Sequence, residues 1–278
     1  MGRGVGVPST WTTVREYASA THFGPTVAVT SFTAVLALAA GAGGRTLLIA
    51  GAVLAGQLSI GWSNDYLDAA IDRAAGRRDK AVVRGTVREQ DLRRAALLAA
   101  AASVPLSLAT GLLAGLCALT TTACGWAYNL GLKRTPASPL PYLVAFALTP
   151  PAYVALAVGQ RPQLSVVAAG GLLGVCAHLT NAVKDLSADA LTGVRGLPQR
   201  LGARVSGLLS AGLLMVATLV LPGGGHPGTL SLVLAAAAGA LTVAYAALLA
   251  LRRPSRHAFT LNLLAVGLLI GALITHGT

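Results

Sequence analysis

Nine apolar stretches, separated by short polar or glycine-rich connections, take up most of this 278-residue chain and limit what it can fold into. They run over about 25–43, 46–63, 95–110, 112–131, 138–159, 163–182, 204–222, 229–251 and 257–275. A helix needs about 20 mainly apolar residues to cross the hydrocarbon core of a bilayer, and these stretches approach that length. Apolar and polar residues do not alternate with period 2, so strands are not expected. In lipid every backbone N–H and C=O must be satisfied internally, which leaves helices or closed barrels, and uninterrupted runs select helices. The expected fold is therefore all-α: a polytopic membrane bundle of about nine transmembrane helices, forming one domain over 1–278. The third and fourth stretches meet at Thr110–Gly111, which predicts a tight helical hairpin, and PGGGHPG after Leu221 predicts a turn. Only 11% of the residues are charged, against about 25% in soluble domains, which argues against a water-soluble enzyme or a disordered basic tail.

The net charge of +12 raises the possibility of nucleic acid as partner, but no basic stripe is interleaved with aromatic residues. Topology explains the charge better. Numbering the connections along the chain puts 19 of the 21 Lys and Arg residues on the side of the N-terminus, leaving only Arg45 and Arg161 opposite. The positive-inside rule makes the crowded side cytoplasmic, with residues 1–22 as a cytoplasmic segment. The first residues lack the basic-then-apolar order of a cleaved leader, so the first helix is expected to serve as an uncleaved signal. Cys117, Cys124 and Cys176 lie in apolar stretches without metal-ligand spacing and read as buried small hydrophobes.

All nine acidic residues share the basic side, and eight of them fall in two connections. The first reads NDYLDAAID over 64–72, the second NAVKDLSAD over 181–189. On a helix, Asn64, Asp68 and Asp72 share one face, as do Asn181, Asp185 and Asp189. Carboxylates one turn apart repel, so two matched copies point to a compensating cation. Oxygen donors of this kind suit Mg²⁺ held together with substrate phosphates, and the surrounding Lys and Arg residues match the charge of a diphosphate. A solvated acidic face explains one such motif more readily than two.

At these residues the sequence resembles the UbiA superfamily of intramembrane prenyltransferases. The resemblance rests on NDYLDAAID followed by DKAVVRG, on YNLGLKR, and on NAVKDLSAD followed by TGVRGLPQRLG, and it runs from about residue 20 to the C-terminus. It implies nine helices around a central cavity, with both acidic motifs at its cytoplasmic mouth. It further implies that Asn64, Asp68 and Asp72 hold one Mg²⁺, and Asp185 and Asp189 a second. Lys80, Arg84 and Lys133 would contact the diphosphate, and Tyr128 would lie near its bridging oxygen. Asp68, Asp72, Asp185, Asp189 and Tyr128 are thus the expected catalytic set, with Asp65, Asn181 and Arg134 as further candidates from the same motifs. Lys184 reads either as a phosphate contact or as a lysine snorkelling from a helix end. Arg195 reads as an anion contact or an interface charge. His178, one turn before Asn181, is either a proton acceptor or a hydrogen-bonded structural group. One departure is His22-Phe23-Gly24-Pro25, where many members carry Arg-Pro or Asn-containing elements.

The implied reaction is ionisation of an isoprenyl diphosphate, transfer of the prenyl group to a lipophilic acceptor of the aromatic or quinone-precursor class, and release of diphosphate. Water would destroy the allylic cation, so a dry cavity is required. The alternative is a terpene cyclase of the same superfamily, in which the chain's own double bonds capture the cation. Aromatic rings often stabilise such cations, and three Trp, six Tyr and four Phe are a small supply. A transporter would place charges at mid-depth, whereas every acid here sits at one face.

Overall fold

The computed structural model describes residues 10–224, 227–251 and 256–276, and within them all side chains except those of 10–13, 184, 185, 187–192 and 256–259. Every regular element among the described residues is helical. The first half comprises α1 (Thr10–Ser19), α2 (Phe23–Ala39), α3 (Arg45–Leu67), α4 (Ala69–Ala74), α5 (Ala81–Arg84), α6 (Glu89–Leu108) and α7 (Leu112–Leu130). The second comprises α8 (Leu140–Ala147), α9 (Tyr153–Ala157), α10 (Leu164–Thr192), α11 (Leu197–Val220), α12 (Thr229–Ala250) and α13 (Arg256–Ile274).

Among the described residues, five helical segments are long and apolar enough to cross a membrane: Arg45–Leu67, Leu140–Ala157, Leu164–Val183, Leu197–Gly223 and Thr229–Ala250. Phe23–Ala39 and Thr260–Ile274 are shorter apolar helices. Among the other predicted spans, α6 opens on the charged residues Glu89, Asp91, Arg93 and Arg94, and α7 closes on the polar turn Trp126–Asn129. Large apolar side chains cover the outer surface: Leu47, Leu98, Leu164 and Leu219 are 70–84% exposed. Such a surface is a liability in water and costs nothing in hydrocarbon. The chain is an integral membrane protein.

Helix ends fall where backbone chemistry demands. Gly111, at φ 120°, makes the predicted turn between α6 and α7, a conformation open to glycine but not to residues with a Cβ. Gly202 interrupts α11 at φ 75°, just before the predicted apolar stretch 204–222 begins. The predicted span 138–159 is broken at Thr149, Pro150 and Pro151, with Thr149 itself non-helical. Prolines have no N–H to donate. The Thr121 hydroxyl donates to the Ala145 carbonyl (3.3 Å) and lies 3.1 Å from Thr149 Oγ1, a repair that a buried helix break requires.

Four apolar clusters hold the bundle, the smallest joining Ala211 and Tyr245. Leu173, Cys176, Leu214, Leu221 and Leu269 centre the packing of α10, α11 and α13, which α12 joins. Ile49, Val53, Tyr153 and Val154 join α3 to α9, with α2 and α7 alongside. A third cluster lies beyond the end of α3, where Ala69, Ala81, Val82, Val87 and Leu92 pack with Tyr17, Trp62 and Tyr66. Cys176 is buried and Cys117 and Cys124 half-buried, all as free thiols.

Candidate active site

The first acidic motif sits where α3 gives way to α4. A continuous helix was expected. Instead α3 stops at Leu67, and Asp68 caps both helices at φ −90°, ψ −2°. Asp68 N–H still donates to the Asn64 carbonyl (3.0 Å) and Asp72 N–H to that of Asp68 (2.8 Å). The i, i+4 spacing therefore survives, and the three residues keep a common face.

Asn129 of α7 sets the polarity of this face. Its Nδ2 donates to Ser63 Oγ (2.8 Å) and to the Ile60 carbonyl (2.9 Å). Its Oδ1 is thereby turned to accept from Asn64 Nδ2 (3.2 Å), which also donates to Asp68 Oδ2 (3.1 Å). The Lys133 ammonium pairs with the same Asp68 oxygen, and Lys133 is buried. Asp65, one residue after Asn64, is 2% exposed and accepts from Lys80 Nζ at 2.7 Å. Charged groups this deeply placed persist only when paired. Asp72 is also buried, with Arg77 3.9 Å away. Burial raises its carboxyl above the ordinary range, against the opposing pull of Lys80 and Arg77.

A residue without an assigned role joins this network. His22 Nε2 lies 2.9 Å from Asn64 Oδ1, 3.5 Å from Asp65 Oδ1 and 3.4 Å from Lys80 Nζ. Asn64 spends its amide protons on Asp68 and Asn129, so its oxygen accepts from His22. His22 is the one non-glycine residue with positive φ among those described, at φ 54°. Gly61 makes the arrangement possible, because a Cβ there would lie 2.3 Å from the Thr21 carbonyl oxygen. The sequence does show the polar groups His22 and Asn129. That both turn toward Asn64 is a product of packing.

Helix α1 braces the same end. Tyr17 stacks edge-on against Trp62, whose indole N–H donates to the Tyr17 carbonyl at 3.0 Å. Arg84, an expected diphosphate contact, pairs with Glu16 and donates to the carbonyls of Asp79 (2.7 Å) and Arg78 (3.1 Å). Glu16 also accepts from Thr86 (2.7 Å). That bond, together with Arg84, holds the Glu16 carboxyl below its ordinary range despite some burial.

The other face of α7 carries Tyr128. Its ring meets Tyr142 of α8 and His178 of α10 edge-on, at centroid separations of 5.2 and 5.8 Å. Adjacent residues of one helix end thus look in two directions, Asn129 toward α3 and Tyr128 toward α10. Helix α10 runs unbroken to Thr192, so positions 181, 185 and 189 share a helical face. Asn181 is exposed. The side chains of Lys184, Asp185 and Asp189 lie outside the described residues. Arg134 and Arg195 are exposed, and the Arg195 carbonyl accepts from Arg200.

Among the described residues, no three His, Cys, Asp or Glu groups converge to hold a metal by themselves. The donors at the end of α3 are nevertheless all oxygen: the carboxylates of Asp68 and Asp72 and the Asn64 amide. That is the chemistry Mg²⁺ takes up with a few carboxylates plus substrate oxygens. The raised Asp72 carboxyl marks a place where added positive charge would be welcome. The donor set fits such an ion.

No curated protein matches the chain in sequence. Solved structures share its fold. A digeranylgeranylglyceryl phosphate synthase superposes with TM-score 0.71 at 18% identity, over 95% of this chain and 98% of that one. A UbiA homologue from Archaeoglobus fulgidus, bound to GPP and Mg²⁺, gives 0.69 at 17% identity, over 93% and 98%. The apo form of a UbiA homologue from Aeropyrum pernix gives 0.65 at 21%, over 90% and 97%. Residues 26–273 match the sequence pattern of the UbiA prenyltransferase family, and with both motif-bearing helix ends inside that span, the chain belongs to this family.

Proposed function

We propose that this protein is a Mg²⁺-dependent intramembrane prenyltransferase, a single domain that ionises an isoprenyl diphosphate and passes the prenyl group to a lipophilic acceptor. The observation that carries the reading is the pairing of buried Lys133 with half-buried Asp68, joined by Asn64 and flanked by Lys80–Asp65, at the polar end of an apolar bundle. Two cationic side chains already lie beside a carboxylate face. The A. fulgidus homologue, solved with GPP and Mg²⁺ and also with DMAPP and Mg²⁺, supports the same substrate class and ion.

The residues divide the work by charge. A diphosphate arriving at the end of α3 takes hydrogen bonds from the Lys133 and Lys80 ammonium groups, which their carboxylate partners hold at the right depth. Asn64, Asp68 and Asp72 on one side, with Asp185 and Asp189 on the other, would hold Mg²⁺, proposed as two ions. Bound metal supplies Lewis-acid stabilisation of the negative charge that builds on the leaving diphosphate. Tyr128, on the α10 side of α7, is proposed to bring its hydroxyl near the bridging oxygen between the two acidic motifs. The apolar helices keep water from the allylic cation until the acceptor attacks. The positive-inside count places this mouth and the N-terminus in the cytoplasm. Membership of a prenyltransferase family favours transfer over cyclisation.

The test is to incubate the purified protein in lipid nanodiscs with Mg²⁺ and geranylgeranyl diphosphate, with and without a hydroxybenzoate- or naphthoate-type acceptor. Diphosphate release that depends on both Mg²⁺ and acceptor supports transfer. A hydrocarbon product formed without acceptor overturns it in favour of cyclisation.

A further inference from the structure

Ser138 lies in the connection between α7 and α8 and is fully buried. Its Oγ sits 3.0 Å from His178 Nε2 and accepts the Leu197 backbone N–H, also at 3.0 Å. A hydroxyl has one proton to give. Leu197 takes one lone pair of the oxygen, and the hydroxyl proton or the second lone pair faces His178 Nε2, so Oγ and Nε2 share a single proton. In either tautomer Nε2 is taken up by Ser138 and is not directed at substrate.

The neighbourhood of this bond is tight. A Cβ on Gly196 would lie 2.7 Å from the Lys133 carbonyl oxygen and 2.8 Å from Ser138 Oγ, so the start of α11 presses directly on the Lys133 turn. Within that turn, Thr135 Oγ1 donates to the Leu132 carbonyl (2.9 Å), and Ser138 N–H donates to that of Thr135 (3.1 Å). On the α10 side, Gly174 lets the helix meet α8 closely, since a Cβ there would be 2.4 Å from the Tyr142 carbonyl oxygen. One turn on, His178 packs against Tyr142 at a centroid separation of 4.8 Å, and against Tyr128.

We propose that Ser138 is a positioning residue that pins the Lys133 turn, through His178, to the helix carrying the second acidic motif. Two groups aimed at the diphosphate depend on this pin. Lys133 is reached along the turn and Tyr128 through the His178 ring. The two acid-bearing helix ends, on α3 and α10, are thereby held in register by one buried hydroxyl. The consequence at the diphosphate rests on the prenyl-transfer reading above, whereas the Ser138–His178 bond is independent of it.

The tests separate these two parts. ¹⁵N-histidine NMR of the full-length protein in nanodiscs, with His178 identified by its proximity to Tyr142 ring protons, is expected to show the Nε2 resonance shifting in Ser138→Ala and staying near its wild-type position in Ser138→Thr. An Nε2 resonance unmoved by Ser138→Ala overturns the proposal whether or not the protein turns over any substrate. Binding of the unreactive analogue geranyl S-thiolodiphosphate with Mg²⁺, measured calorimetrically, reads the second part. Ser138→Ala is expected to weaken it about tenfold, the worth of one well-placed contact. Ser138→Thr, which keeps the hydroxyl, is expected to bind within about twofold of wild type. If Ser138→Ala only lowers the yield of folded protein and binds the analogue as wild type does, the hydroxyl merely packs and the proposal fails. If wild type does not bind the analogue, the prenyl-diphosphate reading fails and the Nε2 resonance alone decides.

Discussion

The two ends of α3 both carry charge at a membrane boundary, yet only one end builds a site. At its start, Arg45 reaches the Thr110 carbonyl at 3.3 Å, next to the glycine turn that opens α7. That bond ties one side chain to one backbone carbonyl, and among the described residues Arg45 forms no ion pair. At the other end, Asn64, Asp65, Asp68 and Asp72 meet His22, Lys80, Asn129 and Lys133, brought in from the α1–α2 turn, the α4–α5 connection, α7 and the turn after it. Charge at a helix end becomes a site when other elements pack around it closely enough to bury it.

Five variants test that difference, from the largest expected effect to the smallest. Asp68→Asn removes the carboxylate on which Lys133 and Asn64 converge, and prenyl-diphosphate turnover should fall on the order of 1,000-fold. Lys133→Met leaves half-buried Asp68 without its cation. Here a fall of about 100-fold is expected, and steady-state diphosphate release measures both variants. Near-normal turnover in either would dissolve the distinction between the two ends. Gly61→Ala drives a methyl group into the Thr21 backbone. Overpacking of this kind costs about 1–3 kcal/mol, and thermal unfolding should show a clear drop in Tm.

Asp72→Asn should behave in the opposite sense. Because burial raises the Asp72 carboxyl pKa in the folded state, ionised Asp72 opposes folding at neutral pH without metal, and it stops doing so as the pH falls below the ordinary carboxylate range. The metal-free variant should therefore unfold at a higher temperature than wild type at pH 7, with the gap closing in acid. A lower Tm at pH 7 would show that the carboxylate is already compensated. Arg45→Ala should change stability by no more than about 0.5 kcal/mol and leave turnover untouched, which a parallel Tm and activity measurement checks.

Much of the molecule was legible in the chain. Apolar run length marked the helices and Gly111 announced a turn through backbone chemistry alone, whereas the break at Pro150–Pro151 inside the predicted span 138–159 came only from the structure. The i, i+4 spacing put Asn64, Asp68 and Asp72 on one face even though α3 stops at Leu67. Pairing was not legible. Asp68 meets Lys133 from 65 residues away, and Arg84 turns to Glu16 across 68. No local pattern encodes which ammonium faces which carboxylate. Ser138 resembles any small polar residue in a connection until Leu197 and His178 close around it.

The sequence by itself determined an all-helical membrane protein with its acids gathered at the ends of two helices, because hydrocarbon admits few backbone solutions and helical spacing is a local property. Only the tertiary structure decided that His22 and Asn129 orient Asn64, that Lys80 sits on Asp65 and Lys133 on Asp68, and that one buried hydroxyl joins the Lys133 turn to α10. Those assignments depend on which backbones approach closely, at Gly61, Gly174 and Gly196. Close approach is settled by the packing of the whole bundle rather than by any stretch of it.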